Sequence, residues 1–192
     1  MARRTTPHLP ASLSPAQRDL YEEIALGSRA AESAFPLVEE NGALTGPFDA
    51  MLLEPGIGRA LQALGAALRF HGALTDRARE IAILQVAHHH GSDFEVFAHE
   101  AVGRRIGLTE ADLSVLASGQ VPEGAGEYDS AVVDVVARIL QDLDLDDATY
   151  LAAVEVLGEA GVFELNALVG YYSLLAVQLR IFRVPAPNPD VK

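Results

Sequence analysis

The chain contains no cysteine. Disulfides, thiolate metal sites and thiol redox chemistry are therefore excluded from its 192 residues. Positive charge is scarce as well: 14 Lys and Arg stand against 27 Asp and Glu, a formal charge of −13. An excess of one sign favours solubility and argues against a surface for nucleic acid or anionic membrane. It leaves an anionic small-molecule substrate open, because a few arginines in a pocket reverse the local potential. Arg3 and Arg4 are followed by no apolar h-region, so the N-terminus does not read as a secretory leader. The most apolar stretch, Leu165 to Leu179, is interrupted by Asn166 and Gln178 and flanked by Glu164 and Arg180. It is too short for a comfortable transmembrane span. No G-x-S-x-G, P-loop or G-x-G-x-x-G pattern occurs, so serine-hydrolase, nucleotide and dinucleotide functions have no support. These absences predict a soluble, cytoplasmic protein with no nucleic-acid and no membrane partner.

What the chain does contain is helix. With 49% hydrophobic and 21% charged residues it has enough apolar material for one domain, or for two small similar halves sharing a core. Residues 1–13, with Pro7 and Pro10, read as a mobile arm. Ser14-Pro15-Ala16-Gln17 is a helix start, with serine at the N-cap, proline at the first helical position and glutamine closing a capping box. Apolar spacing carries that helix to about Ala30. Residues 36–47 read as a loop, either a pocket border or a plain connector. Phe48 to Leu53 suggests a short helix, and Gly58 to Phe70 a longer Ala/Leu-rich one. Thr75 can cap a helix from Asp76 to His90 whose apolar residues cover most of its circumference, which predicts a central buried element. Gly91 suits its C-terminal cap. Helices follow over Ser92 to Ile106, from Thr109, over Asp129 to Leu143, Asp146 to Gly158 and Val162 to Phe182, with a Gly/Pro loop at 118–127 and an extended tail from Pro185. No segment alternates long enough to demand a strand, and the expected class is all-α. The organisation is read as an arm, helix and loop (1–44), a helical domain (45–184) and a tail (185–192). A shift of 71 residues lays Leu74 on Leu145, Asp76 on Asp147 and Phe94 on Leu165. This faint echo would fit a duplicated helical hairpin, or chance.

The chemistry gathers near Gly91. Glu95 and His99, at i and i+4, share a helix face. Each also has a plainer explanation: Ser92-x-x-Glu95 satisfies a capping box, and His99 can be a half-buried histidine bonded to a neighbour. Glu80 falls between Ala78 and Ile81 on the helix expected to be enclosed, so it needs a partner. Arg77 and Arg79 are the local candidates. Burial would raise the pKa of Glu80 and suit it to proton transfer, while a structural salt bridge would account for it equally. His88-His89-His90 invites a metal, but consecutive helical residues point about 100° apart and cannot grip one ion together. No metal site is expected. Glu164, Asn166, Tyr171 and Tyr172 lie on the most apolar helix and read first as packing residues with bonded polar groups.

Leu74-Thr75-Asp76-Arg77-Ala78-Arg79-Glu80-Ile81-Ala82-Ile83-Leu84, Gly91 to His99 and Ile106-Gly107-Leu108-Thr109 together resemble the core of the carboxymuconolactone decarboxylase family. Phe163-Glu164-Leu165 and Val169-Gly170-Tyr171-Tyr172 resemble its C-terminal helix. The likeness covers residues 45–182. It implies an alkylhydroperoxidase D-like helical fold, assembled as trimers or hexamers, with sites near subunit contacts. One branch of that family uses a Cys-x-x-Cys pair; here those positions hold Ser92 and Glu95, with Glu80 and His99 in the positions of its assisting glutamate and histidine. The decarboxylase branch implies Glu95, His99 and Arg79 as working residues, and no cofactor. Together with the reading of the residues this gives His99, Glu95 and Glu80 as catalytic candidates. Arg79 and Arg77 become candidate carboxylate anchors for a small-molecule substrate, and the reaction a cofactor-independent lyase or isomerase step. The alternative is a non-catalytic oligomer binding a ligand or partner. Because the chain has no thiol, purified metal-free protein is expected to consume no peroxide at enzymatic rates in a peroxide-loss assay; turnover there would overturn the exclusion.

Overall fold

The structure is a computed structural model and describes residues 3–27, 30, 33 and 35–187. Among these, a 3-10 turn at Pro10–Ser12 precedes eight α-helices: α1 (Pro15–Leu26), α2 (Pro47–Met51), α3 (Pro55–Phe70), α4 (Asp76–His90), α5 (Asp93–Arg105), α6 (Glu110–Ala117), α7 (Glu127–Asp142) and α8 (Asp147–Phe182). The only extended pairing among the described residues is a single antiparallel bridge between Val38 and Leu44. The protein is all-α.

α4 is the central element. Thr75 caps it by accepting from the Ala78 amide, and every residue from Ala78 to Ala87 is buried. α5, α6, α7 and α8 all pack on it. Because it is enclosed on all sides, its polar residues must find partners inside the protein. Gln85 donates to the Val133 carbonyl on α7 at 3.2 Å. Glu164 on α8 accepts from the amides of Ala73 and Leu74 and so pins the entry to α4. Gly72 packs beside it, and a Cβ there would displace the Glu164 carboxylate from these amides.

Several boundaries move for identifiable reasons. α1 ends at Leu26, short of Ala30, because Gly27 leaves the helix in an extended conformation; residues 28 and 29 lie outside the described residues. Pro55 starts α3, since proline is preorganised for the first helical position. The helices expected over 146–158 and 162–182 run on as α8, bent where Gly158 adopts φ 72°, ψ 163°. By length and composition α8 could cross a membrane. Here Leu165, Leu168, Leu175 and Ala176 face the core. The 71-residue echo pairs α4 with the start of α8, but Asn166 and Gly170, opposite Glu95 and His99, are exposed.

The N-terminal segment, expected to be mobile, is instead docked. Asp49 on α2 is fully buried and receives the Arg3 guanidinium together with the His8 amide and ring. The Arg4 amide donates to the Phe182 carbonyl. A buried carboxylate needs such partners, and the arm supplies them. The 36–47 segment borders the pocket described below. It closes on Gly46, whose φ of 65° is left-handed and whose Cβ would sit 2.2 Å from the Phe94 ring. Gly46→Ala should therefore destabilise the protein by about 2 kcal/mol in urea unfolding, through backbone strain and overpacking. A change below about 0.5 kcal/mol would mean that this loop is not held as described.

Candidate active site

Glu80, on the enclosed face of α4, is 4% exposed and has one partner: its carboxylate lies 2.7 Å from His99 Nδ1 on α5. The other ring nitrogen, Nε2, lies 3.4 Å from Glu95. His99 is 8% exposed and Glu95 3%, so the three form a buried acid–imidazole–acid row. Tyr172 on α8 meets the imidazole edge to face, with centroids 5.1 Å apart.

The capping box expected at the start of α5 does not form. Ser92 occupies the N-cap with no side-chain cap bond, and its hydroxyl is buried without a partner. The reason lies in the preceding helix. Gly91 ends α4 in a left-handed conformation, and the Ser92 amide donates back to the Ala87 carbonyl at 2.9 Å. That amide is the one Glu95 would have capped. The Glu95 carboxylate turns inward to His99 instead, 3.4 Å from Nε2.

Burial alone would push the His99 pKa down. The charge of Glu80, its hydrogen bond and the contacts of Glu95 outweigh that, and raise it to about 9. His99 is thus an imidazolium at neutral pH, with Nδ1 and Nε2 both donating.

Two recesses flank this row. The inner one, about 40 Å³, is lined by Phe48, Phe94, Glu95, His99, Tyr171 and Tyr172, among others. It has room for a water or two and no more. The outer one, about 230 Å³, is lined by Arg69, Phe70, Asp76, Arg79, Glu80, Val102, Arg105 and Ile106. Glu80 faces the outer recess, Glu95 faces the inner one, and His99 links them. The row joins two recesses, one walled by arginines and the other by aromatic rings.

The structure brings together Glu80, Glu95 and His99. It places Arg79 at the outer cleft, bonded to Asp76 at 2.9 Å and to the Leu74 carbonyl at 3.0 Å, with Nε buried and unpartnered. It does not bring Arg77 to the site. That guanidinium binds Asp129 on α7 at 2.7 Å and approaches Asp112 on α6 at 3.8 Å, holding helices together on another face. A helix turns its side chains through about 100° per residue, so Arg77 and Arg79 cannot share a face. His90 bonds Ser173 at 2.9 Å, and His88 and His89 line a separate surface cleft. Among the described residues no group of three or more His, Asp or Glu is arranged to hold a metal. Arg69, which lines both recesses, was not legible as a site residue, since it gives no signal in its own helix; Tyr172, read first as packing and otherwise as reaching the site, lies against His99.

Residues 55–137 match the Carboxymuconolactone decarboxylase family. The match spans less than half of the chain, and the chain has the all-α fold of alkylhydroperoxidase AhpD-like structures. No curated protein matches it. Among solved structures, it is similar to an alkylhydroperoxidase AhpD core, an uncharacterized peroxidase-related protein from Ralstonia eutropha. Identity is 17% with a TM-score of 0.77, over 98% of this chain and 93% of that one. It is also similar to a cysteine-to-alanine variant of the debrominase Bmp8 in complex with 2,3,4-tribromopyrrole, at 11% identity and TM-score 0.74, over 97% and 93% of the two chains. A putative antioxidant defence protein AhpD from Agrobacterium tumefaciens matches at 16% identity and TM-score 0.66, over 75% of this chain and 99% of that one. At such identities the likeness is one of fold.

The raised His99 pKa sets a pH window. Folding takes up a proton wherever the folded pKa of about 9 exceeds the ordinary 6.5. The stabilisation is complete below pH 6.5 and lost as pH rises through about 9. Urea midpoints measured across that range should fall with pH, and Glu80→Gln should flatten the fall. A pH-independent wild-type midpoint would contradict a buried imidazolium.

Proposed function

We propose that this protein is a cofactor-independent lyase or isomerase for a small carboxylated lactone or enol-type substrate, working by acid–base catalysis at His99. The observation that carries this reading is the buried Glu80–His99–Glu95 row, with a proton-loaded imidazole beside a recess lined by aromatic rings. Loss of carbon dioxide from a carboxylated unsaturated lactone breaks a carbon–carbon bond and leaves the electron pair as a dienolate. A proton delivered to carbon completes the reaction. His99 supplies that proton through Nε2, guided by Glu95, and Nε2 is reloaded from water once the product leaves, while Glu80 holds the Nδ1 proton in place throughout. An isomerase would use the same row to remove a proton and return it elsewhere.

The match of residues 55–137 supports the reading, since the family matched carries a decarboxylase name. A non-catalytic oligomer would explain Glu95 as a cap, and that bond is not made. The same proposal takes the protein as a cytoplasmic homo-oligomer, trimer or hexamer, acting on a small molecule. Phe163, Leu174, Val177 and Ile181 form an exposed apolar stripe on α8 that suits contact with a second copy.

Against a panel of unsaturated lactone acids, His99→Gln should lower kcat about 10²- to 10⁴-fold, the usual range for a general acid–base. Glu95→Gln should lower kcat more than it raises KM. Full activity of His99→Gln on a substrate turned over by the wild type would remove His99 from this role.

A further inference from the structure

In a chain of charge −13, two arginines and an uncapped helix start meet in one recess away from the acid–imidazole row. The recess, about 140 Å³, lies between the head of α5 and the end of α8, with Ser92, Asp93, Phe94, Arg180 and Arg183 among its lining residues. At the head of α5 the amides of Asp93, Phe94 and Glu95 have no acceptor among the described residues: no helical carbonyl stands one turn earlier, and no side chain caps them. Ser92 is 3% exposed, and its hydroxyl has no partner. A buried unpaired hydroxyl is costly, and such groups in native proteins are met by a water, an ion or a ligand. The end of α8 offers no competing acceptors. Its carbonyls from Leu179 to Phe182 are all bonded: Leu179 to the Val184 amide, Arg180 to the Arg183 amide, Ile181 to the Arg4 guanidinium and Phe182 to the Arg4 amide. Arg180 is partly spent, donating to the His90 carbonyl at 3.3 Å. The Arg183 guanidinium has no hydrogen bond or ion pair among the described residues. Arg183 ends α8 at φ 53°, one of two non-glycine residues with positive φ among those described. Glycine is the usual residue in such a place, so arginine is held at the recess against backbone strain.

We infer that this recess is an oxyanion site for a phosphate group, free or carried as a monoester, in which the Ser92 hydroxyl and the α5 amides donate to the anion and Arg183 supplies charge. A helix N-terminus gathers unpaired N–H groups at the positive end of the helix dipole, which suits an anion. A guanidinium adds permanently charged donors. Donors on two helices suit a tetrahedral oxyanion, whose oxygens point in several directions, better than a planar carboxylate. Asp93, the one acid on these walls, is exposed and makes no ion pair among the described residues. It offsets one positive charge and weakens the site without filling it. Of the lining residues only Phe94 also lines the recess beside His99, so phosphate binding does not depend on the acid–base reading.

The test is calorimetric titration of the full chain with inorganic phosphate, methyl phosphate and acetate, at constant ionic strength in chloride. Inorganic phosphate should bind about tenfold or more tightly than acetate. Arg183→Gly should weaken phosphate binding about tenfold or more and melt no lower than the wild type, since glycine suits the left-handed position. Ser92→Ala should weaken it about fivefold and, without phosphate, also melt no lower, since a hydroxyl with no partner stabilises nothing in the free protein. Asp93→Asn should tighten it about threefold. His99→Gln should leave it unchanged, which separates this site from the proposed reaction. Methyl phosphate binding within about threefold of inorganic phosphate assigns the site to a monoester, and a larger loss assigns it to the free ion; either supports an oxyanion site. No binding up to roughly 20 mM phosphate, equal binding of acetate, or unchanged affinity in both Arg183→Gly and Ser92→Ala would each overturn the proposal.

Discussion

A carboxylate buried on a central helix cannot stand alone, and much of this site follows from how Glu80 is neutralised. α4 is enclosed by four other helices, so no water reaches the Glu80 side chain from the core side. Leaving it charged and unpaired would be strongly destabilising, while a hydrogen-bonded cation beside it makes the charge tolerable. His99 is that cation. The contact ties α4 to α5 through their side chains and fixes which ring nitrogen faces which acid. It also holds the imidazole protonated at a pH where a free histidine would be neutral.

The second acid is available because of a backbone detail. The amide of Ser92 closes α4, so it is not free for Glu95 to cap. With that local option gone, the carboxylate is drawn to the imidazolium, and a second acid enters the row. The chain has no cysteine, and the groups that meet at this helix start are a histidine and two acids. A row built on oxygen and nitrogen can move protons, and has no route to the disulfide exchange a cysteine pair provides.

Charge placement on the walls adds a direction. Glu80 faces an arginine-lined cleft and Glu95 a recess lined by aromatic rings, with His99 between. The N-terminal arm bears on the same place: Arg3 and His8 bind Asp49 on α2, next to Phe48 of the recess wall. A segment that looks dispensable by its prolines thus helps to hold one wall of the recess.

Helix starts at Ser14, Thr75, Thr109 and Asp146 were legible because capping is local chemistry, settled by a side chain and an amide three residues away. The burial of α4 was legible because its apolar residues leave no face for water. The shared face of Glu95 and His99 followed from helical period alone. Which acid His99 would bond at its shorter distance did not, because Glu80 lies nineteen residues away on a different helix. Periodicity says which residues share a face and nothing about which faces meet. Arg77 and Arg79 looked interchangeable along the chain, and packing sent one to Asp129 and the other to the cleft. Arg69 became visible only when α3 was laid against α4 and α5. Local hydrogen bonding and hydrophobic period belong to neighbouring residues and are written in order along the chain. The site belongs to surfaces that touch only after the helices pack, so its membership was decided by the tertiary structure.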